Sequence, residues 1–409
     1  MRVAIIGGGI IGVTAAHALL DAGHGVTIVD PGGFGDGASR GNAGWIAHMD
    51  VLPLASPKAW RNLPRWLMDP LGPLSVRPGY VPRLAPWLVR FLAASRPRRI
   101  RASTLAITAL NQKALPAWQR RLQSLGMEGF LRPRGILSVW ADPRAFEAAR
   151  PLLAYQAEIG IPVEILDRAR LHGLEPALGA AAVAGALFPT GCHVSDPHLL
   201  TEALGQAALD RGAALMRRPA RALHAREGIV IETDDGSNLT ADRAVIAAGA
   251  WSRPFARAFG DRVPLDTERG YNTTLPSGTL GLSRPVMFEG EGFVTTPLDT
   301  GDRIGGAVEF AGLDGAPNFA RIDAILARLK RFLPEARLER QTSWMGLRPS
   351  IPDSLPVIGT ARGDARILYA FGHGHHGLTQ AAITAELVAA LIDDREPALA
   401  LAPYSPRRF

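Results

Sequence analysis

Arg2-Val3-Ala4-Ile5-Ile6-Gly7-Gly8-Gly9-Ile10-Ile11-Gly12 opens the chain, and Asp30 follows a second apolar run, Val26–Val29. Arg2–Ile6 reads as a buried strand, Ile10 to Ala22 as a helix stopped by Gly23, and Val26–Val29 as a strand closed by Asp30. A Gly-x-Gly-x-x-Gly run between a strand and a helix is a dinucleotide-binding turn. Gly7 permits the tight turn. Gly9 lets a pyrophosphate approach the backbone beside Ile10 and Ile11, and Gly12 lets the helix pack on the strand. The helix N-terminus adds N–H groups and a positive dipole end. Asp30 is placed to accept from a ribose 2′-OH and would repel a 2′-phosphate. Ala16, Leu19, Gly23 and Val26 fall at the helix–sheet packing positions of this unit. The unit itself does not choose between FAD and NAD.

Outside this unit, 409 residues suffice for about two or three domains. Apolar residues make up 47% and charged residues 20%, which excludes a disordered or collagen-like chain. The single cysteine, Cys192, excludes an intrachain disulfide and a Cys-rich zinc or iron–sulfur site, and no metal is expected. The net charge of +7 is concentrated. Residues 51–101 hold ten basic residues and one acid, Asp69, so the rest of the chain is near neutral and a general nucleic-acid role is not expected. The same stretch carries Trp60, Trp66, Tyr80, Trp87 and Phe91. Aromatics among arginines suit the headgroup layer of an anionic membrane, and equally a solvated basic face or a contact with a partner subunit. No apolar run approaches the ~18–20 residues of a membrane span, and the N-terminus lacks the pattern of a signal peptide. A cytoplasmic protein is expected, with peripheral contact at the inner face of the cell membrane as an option.

Pro31 to Gly44 reads as a glycine-rich loop, and residues 51–101, with four prolines between Pro70 and Pro82, as short broken helices. Thr104–Leu125 reads as a helix interrupted at Pro116, and Pro143–Ile159 as another helix. Asp196 is a candidate N-cap for a helix over Asp196–Gly212, with Pro197 in its first turn. Gly135–Trp140, Gly228–Thr233, Gly270–Leu275, Gly292–Thr296 and Arg303–Val308 read as strands, Arg243–Ala248 and Ile367–Phe371 as buried strands, and Ala320–Leu333 and Leu378–Asp393 as helices.

Three further segments resemble the D-amino acid oxidase/dehydrogenase superfamily of FAD enzymes. They are Ala38-Ser39-Arg40-Gly41-Asn42-Ala43-Gly44, then Ala244-Val245-Ile246-Ala247-Ala248-Gly249-Ala250-Trp251-Ser252, and finally Gly346–Gly359 with Gly372-His373-Gly374-His375-His376-Gly377-Leu378-Thr379. With the opening turn they span nearly the whole chain in the family's order, and Pro73–Pro78 is similar to the bacterial D-amino acid dehydrogenase branch. The resemblance implies an α/β architecture: a Rossmann-like FAD-binding domain of the glutathione-reductase type, plus an α+β substrate domain with a mixed antiparallel sheet. The FAD domain is expected over 1–50, 192–256 and 340–400, the substrate domain over 51–191 and 257–339, and a tail over 401–409. The resemblance implies non-covalent FAD held by Gly7, Gly9, Ile10, Ile11, Gly12, Asp30, Ser39, Asn42, Ala43, Gly44, Ala220, Ala248, Gly249, Trp251, Arg348, Gly372, Gly374, His375, His376, Gly377, Leu378 and Thr379. Cys192 does not match the position of the linking cysteine in covalent relatives. Gly372, Gly374 and Gly377 leave N–H groups uncovered before a helix, where negative charge on a reduced flavin would be stabilised.

In this family an arginine at the place of Arg348 pairs with the substrate carboxylate, by two parallel bonds that fix the α-carbon. Tyr271 resembles a substrate-contacting tyrosine. His48 follows the Asn42–Gly44 loop, and His375 or His376 is placed to line the pocket. The expected chemistry is oxidative deamination: hydride leaves the α-carbon for flavin N5, and water hydrolyses the imine to a 2-oxo acid. Orientation and water exclusion would carry catalysis without a strong base. A D-amino acid is the implied substrate, D-proline or cis-4-hydroxy-D-proline the narrower reading, and a quinone or another acceptor takes the electrons. Lys58, Lys113 and Lys330 fall outside the expected flavin face, which favours a dehydrogenase. The alternatives are an oxidase of glycine, sarcosine or another N-methyl amino acid, and a flavin-binding subunit without turnover.

Overall fold

The computed structural model describes residues 1–55 and 71–409. Lys58, Trp60, Trp66 and Asp69 lie outside the described residues.

Val3 and Ile5 alternate with Ala4 and Ile6, and the strand they form is buried on both faces. It sits inside a six-stranded sheet ordered Ala214–Met216, Gly25–Val29, Arg2–Ile6, Arg243–Ile246, Ile367–Phe371 and Val357–Thr360. The first five strands are parallel, with Ile5 between Ile28 and Val245, and the sixth is antiparallel. Val3, Ile5, Ile28 and Val245 pack against helices Ile10–Asp21, Pro197–Asp210 and Gly377–Ile392 through Val13, Leu204 and Val388. Ala4, Ile6 and Ile246 face a three-stranded antiparallel sheet, Ala220–Ala225, Ile229–Thr233 and Asn238–Ala241, through Leu223 and Ile231. These are the three layers of a doubly wound fold with a sheet in place of one helical layer.

The second body is a mixed sheet running Trp344–Ser350, Asp266–Leu275, Gly301–Phe310, Phe293–Leu298, Val286–Phe288, Ile136–Trp140, Ala184–Phe188 and Glu164–Leu166, with Leu74–Val76 beside Gly301–Phe310. Helix Ala320–Leu329 lays Ile322, Ile325 and Leu329 against Phe288, Phe293 and Ile304. A small sheet, Trp45–Ile46, Cys192–Val194 and Leu131–Arg132, joins the regions.

Several segments fall differently from the sequence expectations. Trp344–Ser350 pairs along its whole length with Asp266–Leu275, from Asn272↔Trp344 to Asp266↔Ser350, so it belongs to the mixed sheet. Residues 97–125 place Ile107, Leu110, Trp118 and Leu122 in the core of the six-stranded body, and the Trp118 indole N–H donates to Leu378 O at 2.8 Å. The helix break falls at Lys113, not at Pro116. Pro116 sits in the first turn of Ala114–Leu125, where its missing N–H costs nothing. Residues 81–112 form two helices of 14 and 16 residues, Val81–Ala94 and Pro97–Gln112, longer than the short broken helices expected. The last residues are docked: Tyr404 is 1% exposed and donates to Ala106 O, and Arg408 pairs with Asp353 at 2.9 Å. Asp196 caps its helix as expected, accepting from the N–H groups of His198 and Leu199 at 2.7 and 3.0 Å.

Candidate active site

The site begins at the turn after the first strand. A Cβ on Gly12 would overlap the carbonyl oxygen of Gly7, so any larger residue would push the helix off the turn. Gly9 occupies the N-cap in extended conformation and offers no side chain to cap the helix. The cap comes from elsewhere: the Ile10 N–H donates to Ser39 Oγ at 3.0 Å. Asp30 accepts from Gly8 N–H at 2.8 Å through one oxygen and from Gly32 and Gly33 N–H at 2.9 and 3.1 Å through the other. Its carboxylate therefore braces the turn as well as facing the cavity beside it.

The other grip comes from the C-terminal segment. Gly372 and Gly374 have φ of 82° and 54°, which place the backbone ahead of helix Gly377–Ile392. No acidic residue stands in the first turn of that helix or of Ile10–Asp21. Thr379 ties the two ends of the chain together, accepting from Ala47 N–H at 3.0 Å and donating to Trp45 O at 3.3 Å. Both helix starts open on one cavity of about 900 Å³.

That cavity is lined by Gly7, Gly9, Ile10, Ile11, Asp30, Ser39, Asn42, Ala43, Ala220, Ala248, Gly249 and Trp251, and from the other side by Tyr271, Arg348, Gly372, Gly374, His375, Gly377, Leu378 and Thr379. Four expected residues stand off it. Gly12 lies behind the turn against Gly7. Gly44 packs against Leu298. The His48 ring faces Thr190 Oγ1 at 3.0 Å, and burial lowers its pKa. His376 is buried, which lowers its pKa to about 4. Cys192 is likewise buried and pairs with Ile46 in the small sheet, away from the cavity lining.

Arg348 lines the cavity, and Glu268 stands opposite it on the paired strand. The Arg348 guanidinium lies flat over Gly270, where a Cβ would overlap it, and its Nη1 donates to Ala307 O at 3.2 Å. Burial lowers the Arg348 pKa and the Glu268 charge opposes that shift. Glu268 is 1% exposed. One oxygen accepts from Ser350 Oγ and the other lies 2.7 Å from His375 Nε2. Burial pushes its carboxyl up, but His375, Ser350 and Arg348 outweigh burial and hold it below the usual carboxylate range. Tyr271 is 1% exposed and donates its one hydroxyl hydrogen bond to Glu309, while the oxygen accepts from Asn318 N–H at 3.2 Å. The hydroxyl is thus committed inside the mixed sheet, and Tyr271 offers the cavity no donor.

Sequence reasoning passed over four residues here. Arg303 donates to Asn42 O at 2.9 Å and lies 3.4 Å from Asp196, which fixes the 40–42 loop. The Trp344 indole sits between Gly41 and Gly346, each of which would overlap it if it carried a Cβ. Asp50 lines the cavity with its carboxyl pushed up to about 7, by burial first and by Glu289 second. Glu268 had one signal: a charged pair, Glu268-Arg269, inside an otherwise strand-like run. Its neighbour Arg269 is 0% exposed and spends its N–H groups on Gly312 and Gly315 carbonyls.

Residues 2–391 match the family model described as FAD dependent oxidoreductase, DAO. The chain belongs to the DAO family of FAD-dependent oxidoreductases. It is similar along its whole length to a D-amino-acid oxidase of Bradyrhizobium diazoefficiens, at 36% identity over 421 aligned residues and 99% of the relative's length. It is also similar to a D-amino acid dehydrogenase of Methylobacterium sp. (strain 4-46), at 33% identity, covering all of this chain and 99% of that one. Among solved structures, glycine oxidase from Geobacillus kaustophilus superposes with a TM-score of 0.76 at 23% identity, covering 100% of this chain and 99% of that chain. L-proline dehydrogenase from P. horikoshii superposes with a TM-score of 0.78 at 20% identity, covering 100% and 97%. At those identities the structural likeness establishes the DAO fold. This DAO-family chain is an FAD-dependent oxidoreductase, and its cavity fits the cofactor: two helix N-termini with no acid in their first turns open on one space, with backbone rather than side chains at Gly7, Gly9 and Gly372. Among the described residues no helix is long and apolar enough to cross a membrane.

Proposed function

We propose that the chain oxidises the α-carbon–nitrogen bond of a D-amino acid, with Arg348 binding the substrate carboxylate. The observation that carries this is Arg348 itself. A guanidinium at the cavity wall spends one hydrogen bond on the Ala307 carbonyl and keeps the rest of its planar fork available for a carboxylate. Gly7, Gly9, Ile10, Ile11, Asp30 and Ser39 would hold the dinucleotide end of FAD, and Gly372, Gly374, His375 and Gly377–Thr379 its flavin end. When bound, the flavin supplies a two-electron acceptor. Arg348 then orients the α-carbon, Glu268 holds His375 and offsets the Arg348 charge, and Trp344 and Leu347 restrict water. Names of full-length relatives support a D-amino acid over an L-amino acid.

Three finer readings belong to the same proposal. The substrate is a cyclic secondary amine such as D-proline or cis-4-hydroxy-D-proline, which suits apolar walls at Met287, Phe293 and Val294. The enzyme is a dehydrogenase passing electrons to a quinone or similar acceptor, since neither Lys113 nor Lys330 lines the cavity, and the Lys330 ammonium is held by Ala336 O at 2.8 Å. The third is peripheral contact with an anionic membrane, for which helix Val81–Ala94 leaves Val89 and Leu92 66% and 51% exposed beside Arg83 and Arg90.

The test is anaerobic bleaching of the flavin across a panel of D- and L-amino acids, glycine and sarcosine, followed by peroxide detection in air. Bleaching by cyclic D-substrates with little peroxide is expected. Bleaching confined to L-substrates, or no bleaching by any amino acid, would refute the proposal. Stoichiometric peroxide would convert the dehydrogenase reading into an oxidase.

A further inference from the structure

Arg83, Trp87 and Arg90 recur at helical spacing and share one face of helix Val81–Ala94. Arg253 and Arg257 share one face of helix Ser252–Ala258. These faces, with Arg262 and the start of strand Asp266–Leu275, enclose a second pocket of about 410 Å³. Its lining brings together five arginines and one acid, Asp266. Trp87, Pro86, Val263, Pro264 and Leu265 supply the apolar surface, and the Trp87 ring is stacked on Phe91 at 5.1 Å.

Many arginines of this chain pair with acids. Arg77, Arg243, Arg284, Arg303 and Arg408 all lie within salt-bridge distance of a carboxylate. Among the described residues Arg83, Arg90, Arg253, Arg257 and Arg262 form no ion pair. The one acid in the pocket offsets at most one of them: the Asp266 charge is felt by Arg253 and leaves the other four uncompensated. Asp266 accepts from the Tyr80 hydroxyl at 3.1 Å through both oxygens and from Thr267 N–H at 2.7 Å. Five like charges converging on one concavity leave a strongly positive potential that a polyvalent anion would satisfy.

We infer that this pocket binds a phosphate-bearing anion. Planar guanidiniums in forks from two helices match the oxygens of a phosphate ester. The volume suits a headgroup or a small organophosphate and not a folded segment of another protein. The pocket lies outside the lining of the flavin cavity and does not depend on the amino acid reading.

The experiment uses FAD-loaded protein, whose dinucleotide site is filled, with inorganic pyrophosphate as the probe in low-salt calorimetry. Arg90→Gln/Arg257→Gln is compared with Arg168→Gln/Arg221→Gln, which removes the same charge from exposed sites elsewhere. Saturable binding that weakens at least ~10-fold in the pocket variant and stays unchanged in the control is expected. Equal weakening in both variants, or no binding by the unsubstituted protein, overturns the inference, and the latter is the outcome if the face serves an acidic protein instead. A second arm distinguishes sources. Sedimentation with phosphatidylcholine vesicles containing phosphatidylglycerol, competed by pyrophosphate, marks a lipid headgroup. Pyrophosphate binding without sedimentation marks a soluble phosphate ester, and both support the pocket. Vesicle binding that survives the double substitution and resists pyrophosphate overturns the pocket while leaving the exposed apolar helix face as the membrane contact. Amino acid bleaching, measured on the same variants, stays at the unsubstituted level whichever arm succeeds.

Discussion

Replacing Asp50 with Asn is expected to stabilise the protein at pH 8 by far more than at pH 5. The carboxyl lies in the flavin cavity wall, its pKa is pushed from 3.8 to about 7, and burial is the main cause. The sign follows from proton binding. The unfolded chain ionises near pH 4, whereas the folded protein keeps its proton to about pH 7, so the folded state binds more protons in between. Stability therefore falls as pH rises through that window. Below pH 4 both states are protonated and no penalty exists. Above pH 7 the penalty is complete. With ~1.36 kcal/mol per pKa unit, the penalty is about 2 kcal/mol at pH 5 and about 4 kcal/mol at pH 8.

Asparagine cannot ionise, so the pH-dependent part of the penalty disappears while the pH-independent part of the substitution cancels between the two conditions. The expected difference is about 2–3 kcal/mol in favour of Asp50→Asn at pH 8 over pH 5. At roughly 2.1 cal/mol/K of unfolding entropy per residue, a 409-residue chain shifts about 1 °C per kcal/mol, so the melting advantage should be about 3 °C larger at pH 8. Calorimetric melting of the FAD-loaded protein and the variant at both pH values measures it. An advantage equal at the two pH values, or larger at pH 5, would show that Asp50 ionises normally and that burial does not govern it.

Gly12→Ala should yield protein without bound flavin, because the added Cβ overlaps the Gly7 carbonyl and the helix start must move; the absorbance ratio at 450 to 280 nm checks it. Gly270→Ala should keep its flavin but raise KM, since the group it displaces is the flexible end of Arg348; unchanged KM would mean the guanidinium is not the carboxylate ligand. Arg348→Ala should lower kcat/KM by about 100-fold or more, from the loss of two charge-assisted bonds at ~1.5–3 kcal/mol each, and steady-state kinetics report it. Glu268→Gln leaves Arg348 buried without its opposing charge and loosens His375, and a stability loss of about 3–5 kcal/mol is expected by denaturant titration.

How far the sequence could be read depended on whether the signal was local. The turn from Gly7 to Gly12, the Asp196 cap and the strands around Ile5 and Val245 carry their reasons within a few residues: spacing, alternation and a capping side chain. The same holds for Arg348 and the Gly372–Thr379 segment, which the family pattern marks. What was not legible is held across the chain. Trp344 acquires its role only because Gly41, about three hundred positions earlier, leaves room for its ring. Tyr271 reads like a substrate ligand, yet the bulged pairing that sets Arg269 opposite Glu309 also brings the Tyr271 hydroxyl to Glu309, which accepts its hydrogen bond. His48 and His376 look as available in the sequence as His375. Only His375 is brought opposite a buried carboxylate, through the register that sets Glu268 against Arg348. That register also explains why a catalytic dyad is absent from the sequence pattern. Its nearest equivalent, Glu268 with His375, is assembled from a strand and a turn 107 residues apart. Arg348 on the neighbouring strand shares that carboxylate, so the groups placed to bind the substrate and to hold a proton respond to one charge. Changing Glu268 should therefore move the pH profile of kcat and the KM for the amino acid together, and a variant that moved only one of them would show that the two groups act separately.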